Sequence, residues 1–397
     1  MKKILHNKKI FNYPKKKKIG LIFNHSYFLG GGEISFFELI KSLNQDLFEP
    51  VVIVPGDGEI KRKLEAHRFK VIVNPLPSLK RFFLGLPLYQ LFKLLIILHK
   101  NNIDLVHANG SRSCFYAGLS GKILSIPAIW HVRESMKDSF IYDYLLGVLA
   151  SVIICVSKSV KLKRFKRFGK RLNNKICVVY NGVDIDKFRN FIQNRKKVRA
   201  NLRIKSSDIL VGLIGNIIPR KSQDFFLKGF AEVKKIQPNI SIKVLIIGRY
   251  LDKQFNDYLR VLVTDLNLNS NVIFHEFSDE IEGLFSALDI FVLSSKSEGF
   301  CRSLLEAMSC SLPVIATKIS EIEEAIVDNK NGILVDFMNI EKMTNAIITM
   351  CNNKSMRMEF SARNRSDVEK KFSLVSHSNA IEQLYLSSIQ KNAHHPN

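Results

Sequence analysis

Asp289-Ile290-Phe291-Val292-Leu293-Ser294-Ser295-Lys296-Ser297-Glu298-Gly299-Phe300-Cys301-Arg302-Ser303-Leu304-Leu305-Glu306-Ala307-Met308 is the stretch that decides the fold. Its first five residues read as a strand running into a glycine-containing loop, and a short helical segment follows. Leu312-Pro313-Val314-Ile315-Ala316-Thr317 is the next strand. Strand, loop, helix and strand in that order make a parallel βαβ unit. Ligands of such units bind where strands end and helices begin. Glu298 falls in the loop and Glu306 on the helix, so two acids can read separate sets of hydroxyls on one extended polar ligand. The alternative is a pair of idle, solvated acids. A hydrolytic pair fits poorly. Such carboxyls stand about 5 Å or roughly 6.5–9.5 Å apart, whereas a helix over the whole interval would rise about 12 Å.

Outward from this unit the same alternation recurs. Lys18 to Phe23, Pro50 to Val54, Val71 to Val73, Asp104 to His107, Ala128 to Trp130, Ser151 to Val156 and Ile176 to Tyr180 read as strands of a first parallel sheet. Ile209 to Gly215, Lys243 to Gly248, Val272 to Phe274 and Asn331 to Val335 join the opening unit in a second. Strands alternating with helical segments argue for α/β architecture. The expected organisation is a basic tail over 1–17, a first Rossmann-like domain over 18–190, a second over 191–375, and a crossover helix with tail over 376–397. The helix itself is expected at about His377 to Gln390, and residues 393–397 as a frayed end.

Two loops carry the chemistry expected of phosphate sites. Gly30-Gly31-Gly32-Glu33 lies between the first strand and a helix expected over Ile34 to Leu43. Glycines let backbone N–H groups approach a phosphate there, and a helix N-terminus favours negative charge. Gly215-Asn216-Ile217-Ile218-Pro219-Arg220-Lys221 stands in the corresponding place of the second sheet.

With these motifs in order along residues 17 to 390, the chain resembles the family 4 retaining glycosyltransferases. The run from Ser297-Glu298-Gly299-Phe300 through Leu305-Glu306-Ala307-Met308 matches their Glu-x7-Glu signature, and Gly30-Gly31-Gly32-Glu33 their Gly-Gly-x-Glu element. The resemblance implies the GT-B fold: two facing Rossmann-like domains, a central cleft, and a C-terminal helix crossing back. It implies transfer of a sugar from a nucleotide-diphosphate sugar, with retention by front-face attack, to a glycan or lipid-linked acceptor. It gives Glu306 the ribose hydroxyls, Glu298 the transferred sugar near its 3- and 4-hydroxyls, and Gly299 and Phe300 backbone donors to the same region. Gly31 and Gly32 would face the diphosphate, Lys221 would hold it, and Phe277 would lie near the base. His131 is expected to contact the reacting centre, with Glu298 and Lys221 as the other catalytic candidates. Asn109 and Gly110 are expected on the acceptor side. No cofactor and no metal ion are expected.

The chain departs from the family at several positions. Asn216 stands at a usual arginine, removing one cation from the leaving group, with Arg220 as the candidate replacement. Glu276, Ser311 and Glu321 stand at usual glycines.

Charge is unevenly divided. Residues 1–190 hold 33 Lys and Arg against 13 Asp and Glu, a net of +20, leaving +4 of the total +24 for the rest. Any anionic surface is therefore expected to meet the first domain. Lys158 to Arg171 is the densest basic run, and Phe165 and Phe168 within it read as apolar insertions into an anionic membrane surface. Phe82 to Leu98 is the most apolar stretch; its Gly85, Pro87, Gln90 and Lys93 argue for a packed or interfacial helix rather than a membrane span. No nucleic-acid motif accompanies the basic run, so nucleic acid is not an expected partner. The six cysteines are scattered without a C-x-x-C pair, which suits a reducing compartment. No apolar secretory segment follows the basic N-terminus. The expected setting is the cytoplasmic side of the inner membrane, bound peripherally. Two other readings stay open: an epimerase or phosphorylase on this architecture, and a basic nucleic-acid-binding protein.

Overall fold

The strands are apolar runs rather than alternating ones, which is the pattern of strands covered on both faces. In the computed structural model the inner strands are buried accordingly, while the edge strands Lys70–Val73 and Val272–Glu276 carry no buried residue. The structure describes residues 15–78, 85–134, 140–168, 170–278 and 280–394. Most of the expected basic tail, the start of the Phe82 to Leu98 stretch and the last three residues lie outside them, as do the side chains that end the Lys158 to Arg171 run.

The first sheet is built from β1 (Lys17–Ile22), β2 (Phe48–Val54), β3 (Lys70–Val73), β4 (Leu105–Asn109), β5 (Ala128–Val132), β6 (Val152–Cys155) and β7 (Ile176–Val178). Its helices are α1 (Gly31–Ser42), α2 (Glu59–Ala66), α3 (Leu86–Lys100), α4 (Ser111–Leu124), α5 (Phe140–Leu149), α6 (Lys158–Phe165) and α7 (Lys170–Asn173). The strands are all parallel in the order β3-β2-β1-β4-β5-β6-β7. After α8 (Ile192–Asn201), the second sheet takes β8 (Ile209–Ile214), β9 (Ile242–Gly248), β10 (Val272–Glu276), β11 (Ile290–Leu293), β12 (Val314–Thr317) and β13 (Gly332–Val335). Its order is β10-β9-β8-β11-β12-β13. Interleaved are α9 (Gln223–Ile236), α10 (Lys253–Asp265), α11 (Ile281–Ala287) and α12 (Arg302–Ser309). Then come α13 (Ile340–Asn352), α14 (Lys354–Lys371) and α15 (Leu374–His394).

Strand order reverses between β1 and β4 in one sheet and between β8 and β11 in the other. Each reversal opens a crevice at the carboxyl ends of the strands. The loops beyond β1, β4, β8 and β11 therefore supply the ligand-facing backbone.

Three boundaries differ from the sequence expectation. Helix α1 begins at Gly31, so Gly31 and Gly32 form its first turn and Gly30 is its N-cap. Helix α15 extends to His394, past the expected end at Gln390. Strand β5 runs on to Val132 and carries His131 inside the sheet.

The last helix packs against α1 and β4 of the first sheet. Its Ile381, Tyr385 and Leu386 join the same buried cluster as Ile19, Phe36 and Phe48. Tyr385 Oη shares a hydrogen bond of 2.6 Å with His107 Nδ1, and Glu382 Oε1 accepts one of 2.7 Å from Asn44 N.

The basic run around α6 does not present Phe165 and Phe168 to a membrane. Both are buried. Phe165 meets Trp130 edge-on at 5.5 Å between ring centroids, and Phe168 stacks on Phe140 at 4.8 Å. Arg164 is buried too, with its guanidinium 2.6 Å from Asp143 and over the Trp130 ring. The helix is amphipathic, as the sequence suggests, but its apolar face is part of the core. Truncating such a phenylalanine costs about 3–5 kcal/mol.

Candidate functional site

The two crevices face one cavity of about 970 Å³, lined by both halves of the chain. Ten Lys and Arg side chains line it against five Asp and Glu, so it favours a polyanionic ligand.

The second-sheet wall holds two acids, each paired with cations. Lys221 follows β8 through the Asn216 loop, and its Nζ lies 2.6 Å from Glu298 Oε1. Arg220 approaches Glu298 Oε2 at 3.6 Å and donates to Ser297 O at 2.8 Å. Burial works against the charge on Glu298, but Lys221 and then Arg220 outweigh it and hold the carboxyl below its ordinary range. Burial likewise opposes the charge on Lys221, and Glu298 more than compensates. One helical turn into α12 lies the second pair, Arg302 Nε to Glu306 Oε1 at 2.6 Å. Here burial dominates and pushes the Glu306 carboxyl up, with Arg302 opposing it. The two acids of the opening motif thus sit on one wall with opposite shifts.

Gly299 lies between the acids at the seam of the two halves. A methyl at its Cα would overlap the Arg133 carbonyl oxygen, so only glycine allows this approach. Asn181 Nδ2 donates to Phe300 O at 3.1 Å, and Ser157 Oγ to Gly299 O at 3.2 Å.

The first-sheet wall presents glycine backbone at the starts of α1 and α4, flanked by charged side chains that include Glu33, Arg112 and Arg133. Gly31 and Gly32 open α1 and line the cavity, as do Asn109 and Gly110 beyond β4. Gly110 has φ +125° and packs against Asn24. Arg133 dominates the electrostatics of this wall. Its Nε bonds Asn109 Oδ1, its NH1 donates to Asn181 Oδ1 at 2.8 Å, and its NH2 lies 3.4 Å from His131 Nδ1. Burial brings its pKa down to about 9, with Glu33 opposing the fall.

The expected site residues Gly31, Gly32, Asn109, Gly110, Asn216, Arg220, Lys221, Phe277, Glu298, Gly299, Phe300 and Glu306 all line this cavity. His131 does not. It is fully buried, and its Nδ1 lies 3.1 Å from His107 Nε2. Burial, reinforced by Arg133, holds both imidazoles well below the usual histidine range. Strand β5 continues two residues past Trp130; Trp130, Val132 and Arg133 line the cavity, while His131, between them, turns to the opposite face of the sheet, against His107 and His377.

Sequence reasoning also missed Arg249 and Arg302. Arg249 follows β9, lies over the Phe277 ring at 5.1 Å and donates to Phe28 O at 2.9 Å. Its position just past a strand beside the switch point was the available signal. Arg302 stands four residues before Glu306, a helical pairing distance. Asn216 sends its Nδ2 to Leu29 O at 2.9 Å, across the cleft and beside Gly30. Among the described residues no group of three or more His, Cys, Asp or Glu could hold a metal ion.

Two family models match the chain in succession: Glycosyltransferase Family 4 over residues 29–187 and Glycosyl transferases group 1 over residues 194–367. Among curated proteins, the chain is 24% identical over 316 residues to the UDP-Gal:alpha-D-GlcNAc-diphosphoundecaprenol alpha-1,3-galactosyltransferase of Escherichia coli. That match covers 76% of this chain and 79% of the relative. It is 24% identical over 362 residues to the capsular polysaccharide biosynthesis glycosyltransferase CapM of Staphylococcus aureus, covering 88% and 91%. Among solved structures, Anabaena HepE in complex with UDP and glucose superposes with a TM-score of 0.81 at 23% identity, covering 93% of this chain and 99% of that one. That likeness shows a shared two-domain α/β fold of the GT-B type.

Proposed function

The chain belongs to the glycosyltransferases of family 4 and group 1, and from that membership we propose that it moves a sugar from a nucleotide-diphosphate donor, with retention, to a lipid-linked or cell-surface glycan acceptor. The observation that carries this reading is the Lys221–Glu298 pair on one wall facing the N-terminal turn of α1 on the other, within one basic cavity. A diphosphate between them meets backbone N–H groups from Gly31 and Gly32 and a buried ammonium from Lys221. The ammonium stabilises charge on the leaving group as the glycosidic bond breaks, so it acts on turnover as well as on binding. Arg220 and Arg249 supply the cation that Asn216 does not.

Glu306 takes the ribose hydroxyls and Glu298 the hydroxyls of the transferred sugar. Gly299 and Phe300 donate backbone N–H groups beside it, and Phe277 packs on the base. Asn109 and Gly110 border the acceptor. Arg133 stands where His131 was expected to act, and His131 positions it from behind. The donor is the only cofactor-like molecule in this scheme, and EDTA should leave transfer largely intact. The units are taken as 18–190 and 191–375 with the crossover helix from 376. The undecaprenol-linked substrate in the name of the Escherichia coli relative supports a lipid-linked acceptor, and with it a peripheral position on the cytoplasmic face of an anionic membrane. Among the described residues no helix is long and apolar enough to cross a membrane.

The test is incubation with a panel of nucleotide sugars. One donor should be hydrolysed slowly, and Glu298→Gln should lose that activity. If no donor turns over while nucleic acid binds tightly in a salt-sensitive way, the transferase reading fails.

A further inference from the structure

Helix α5 carries one ionisable group that charges at neutral pH, Asp143, and that group points inward to Arg164. Its outward residues are Phe140, Ile141, Leu145 and Val148, and Ile141 is 80% exposed. Spacings of four and three put Ile141, Leu145 and Val148 on one helical face. Helix α3 does the same with Leu88, Phe92 and Ile96, Phe92 being 61% exposed. Helix α4 packs between the two and adds Ile123. Eleven of the 24 exposed large apolar side chains among the described residues fall between residues 86 and 162, about a fifth of the chain. Scattered apolar residues need no explanation, but a face shared by successive helices marks an interaction surface.

Charge identifies the occupant. Helices α3, α4 and α5 hold four Lys and Arg against one acid, the buried Asp143. Lys93, Lys100 and Lys122 are exposed on α3 and α4. A second copy of this chain would bring cations against cations. An anionic bilayer offers hydrocarbon to the apolar face and negative headgroups to its rim. The face also reaches the cleft: Tyr142, next to Ile141, lines the cavity, as do Ser111 and Arg112 at the start of α4.

We propose that the outer face of α3, α4 and α5 is the membrane-docking surface, inserting Phe92, Ile141 and Val148 among anionic lipids and delivering a lipid-linked acceptor to the cleft past Tyr142. This rests on the lipid-linked acceptor reading above. It moves the contact away from the basic run on α6, whose phenylalanines are in the core.

Flotation of the full chain with vesicles of phosphatidylcholine and phosphatidylglycerol tests it. The wild-type chain should float with these vesicles and much less with phosphatidylcholine alone. Ile141→Glu with Val148→Glu should cut the bound fraction by about ten-fold or more, because each new carboxylate resists transfer out of water. Val261→Glu, on an exposed position of α10, should leave it unchanged. Transfer to an acceptor embedded in vesicles should fall with binding, while transfer to a short-tailed soluble acceptor persists. Equal flotation of wild type and the double variant would overturn the proposal. So would absence of flotation, or a wild-type dimer in sedimentation velocity that the double variant dissolves. Donor hydrolysis in solution separates the failures: its absence in the wild type sinks the transferase reading, and its persistence confines the failure to the docking face.

Discussion

The two walls of the cleft are built from different materials. The wall after β8 and β11 is made of side-chain ion pairs that close within their own half of the chain: Lys221 with Glu298, Arg302 with Glu306. The wall after β1 and β4 sets glycine backbone and neutral amides at the helix starts, and its guanidinium groups bond neutral partners: Arg112 donates to Asn24 O, and Arg133 to Asn109 and Asn181. A preformed set of paired charges suits a constant, polyanionic ligand such as a nucleotide diphosphate. Backbone and amides impose less on what approaches, which suits an acceptor that differs between relatives. On the second wall Lys221 and Arg302 are each paired with a carboxylate, so a donor that takes up either cation must compete with its partner.

The largest effect expected from this contrast is at Glu298. Glu298→Gln should lower turnover on the order of 10²-fold, the scale of losing one group aimed at the reacting centre. It should also destabilise the fold, since breaking a buried pair from one side costs about 3–5 kcal/mol. Adding Lys221→Met should restore the melting temperature without restoring activity. Stability that stays low in the double variant would mean the pair is not what holds this wall together.

Lys221→Ala should weaken nucleoside-diphosphate binding by about ten-fold or more in titration calorimetry, the weight of a charge-assisted hydrogen bond. Unchanged affinity would misplace the phosphate site.

Arg133→Met asks whether the other wall has any fixed charge that matters. It should lower turnover by about ten-fold and leave Asn109 and Asn181 short of a partner, costing about 1–3 kcal/mol. An unchanged turnover with an altered acceptor KM would make Arg133 a positioning residue only.

Glu306 sharpens the contrast within the second wall. Glu306→Ala should raise the donor KM more than it lowers turnover. Burial pushes its carboxyl above the ordinary glutamate range. A raised acid pKa means stability falls as pH rises from the unfolded pKa through the folded one. Wild type should therefore lose melting temperature relative to Glu306→Gln as pH rises through that window, because the amide does not ionise. A variant that loses stability over the same range would reverse the sign and the argument.

The smallest effect concerns Asn216. Asn216→Arg should tighten nucleoside-diphosphate binding a few-fold, about 0.5–1.5 kcal/mol, while losing one hydrogen bond to Leu29 O. Weaker binding would show that the asparagine's bridge to the glycine wall outweighs an added charge.

The doubly wound architecture was legible because both sheets are written as uninterrupted apolar runs such as Val51 to Val54 and Ile290 to Leu293. The second wall was legible because its residues lie close in sequence to those runs. Glu298 and Glu306 share one loop and helix, and Lys221 lies a few residues past β8. The place of His131 outside the cavity lining was not legible, because sequence does not fix where β5 ends: within the longer strand side chains alternate, so Trp130 and Val132 face the cavity and His131 the other side. Phe165 and Phe168 were misread because an amphipathic helix looks alike whether its apolar side meets Trp130 or a bilayer. The exposed face of α5 is not announced by sequence, because its run from Phe140 to Leu149 is apolar nearly all round and does not tell which side is covered. Glu321, at a usual glycine, is buried and receives Lys163 Nζ at 2.7 Å from the other half of the chain; that partner is 158 residues distant and nothing local announces it.

The return of α15 to the first sheet has a consequence for how the protein is made. Domains commonly fold in order as they leave the ribosome. Here Ile381, Tyr385 and Leu386 fill a core whose strands were synthesised roughly 230 to 370 residues earlier. Until they arrive, His107 lacks its hydroxyl partner and Phe48 its ring neighbour. The half of the protein that is translated first is thus completed last, and a nascent chain stalled before Leu374 would expose the face of α1 that the final helix covers.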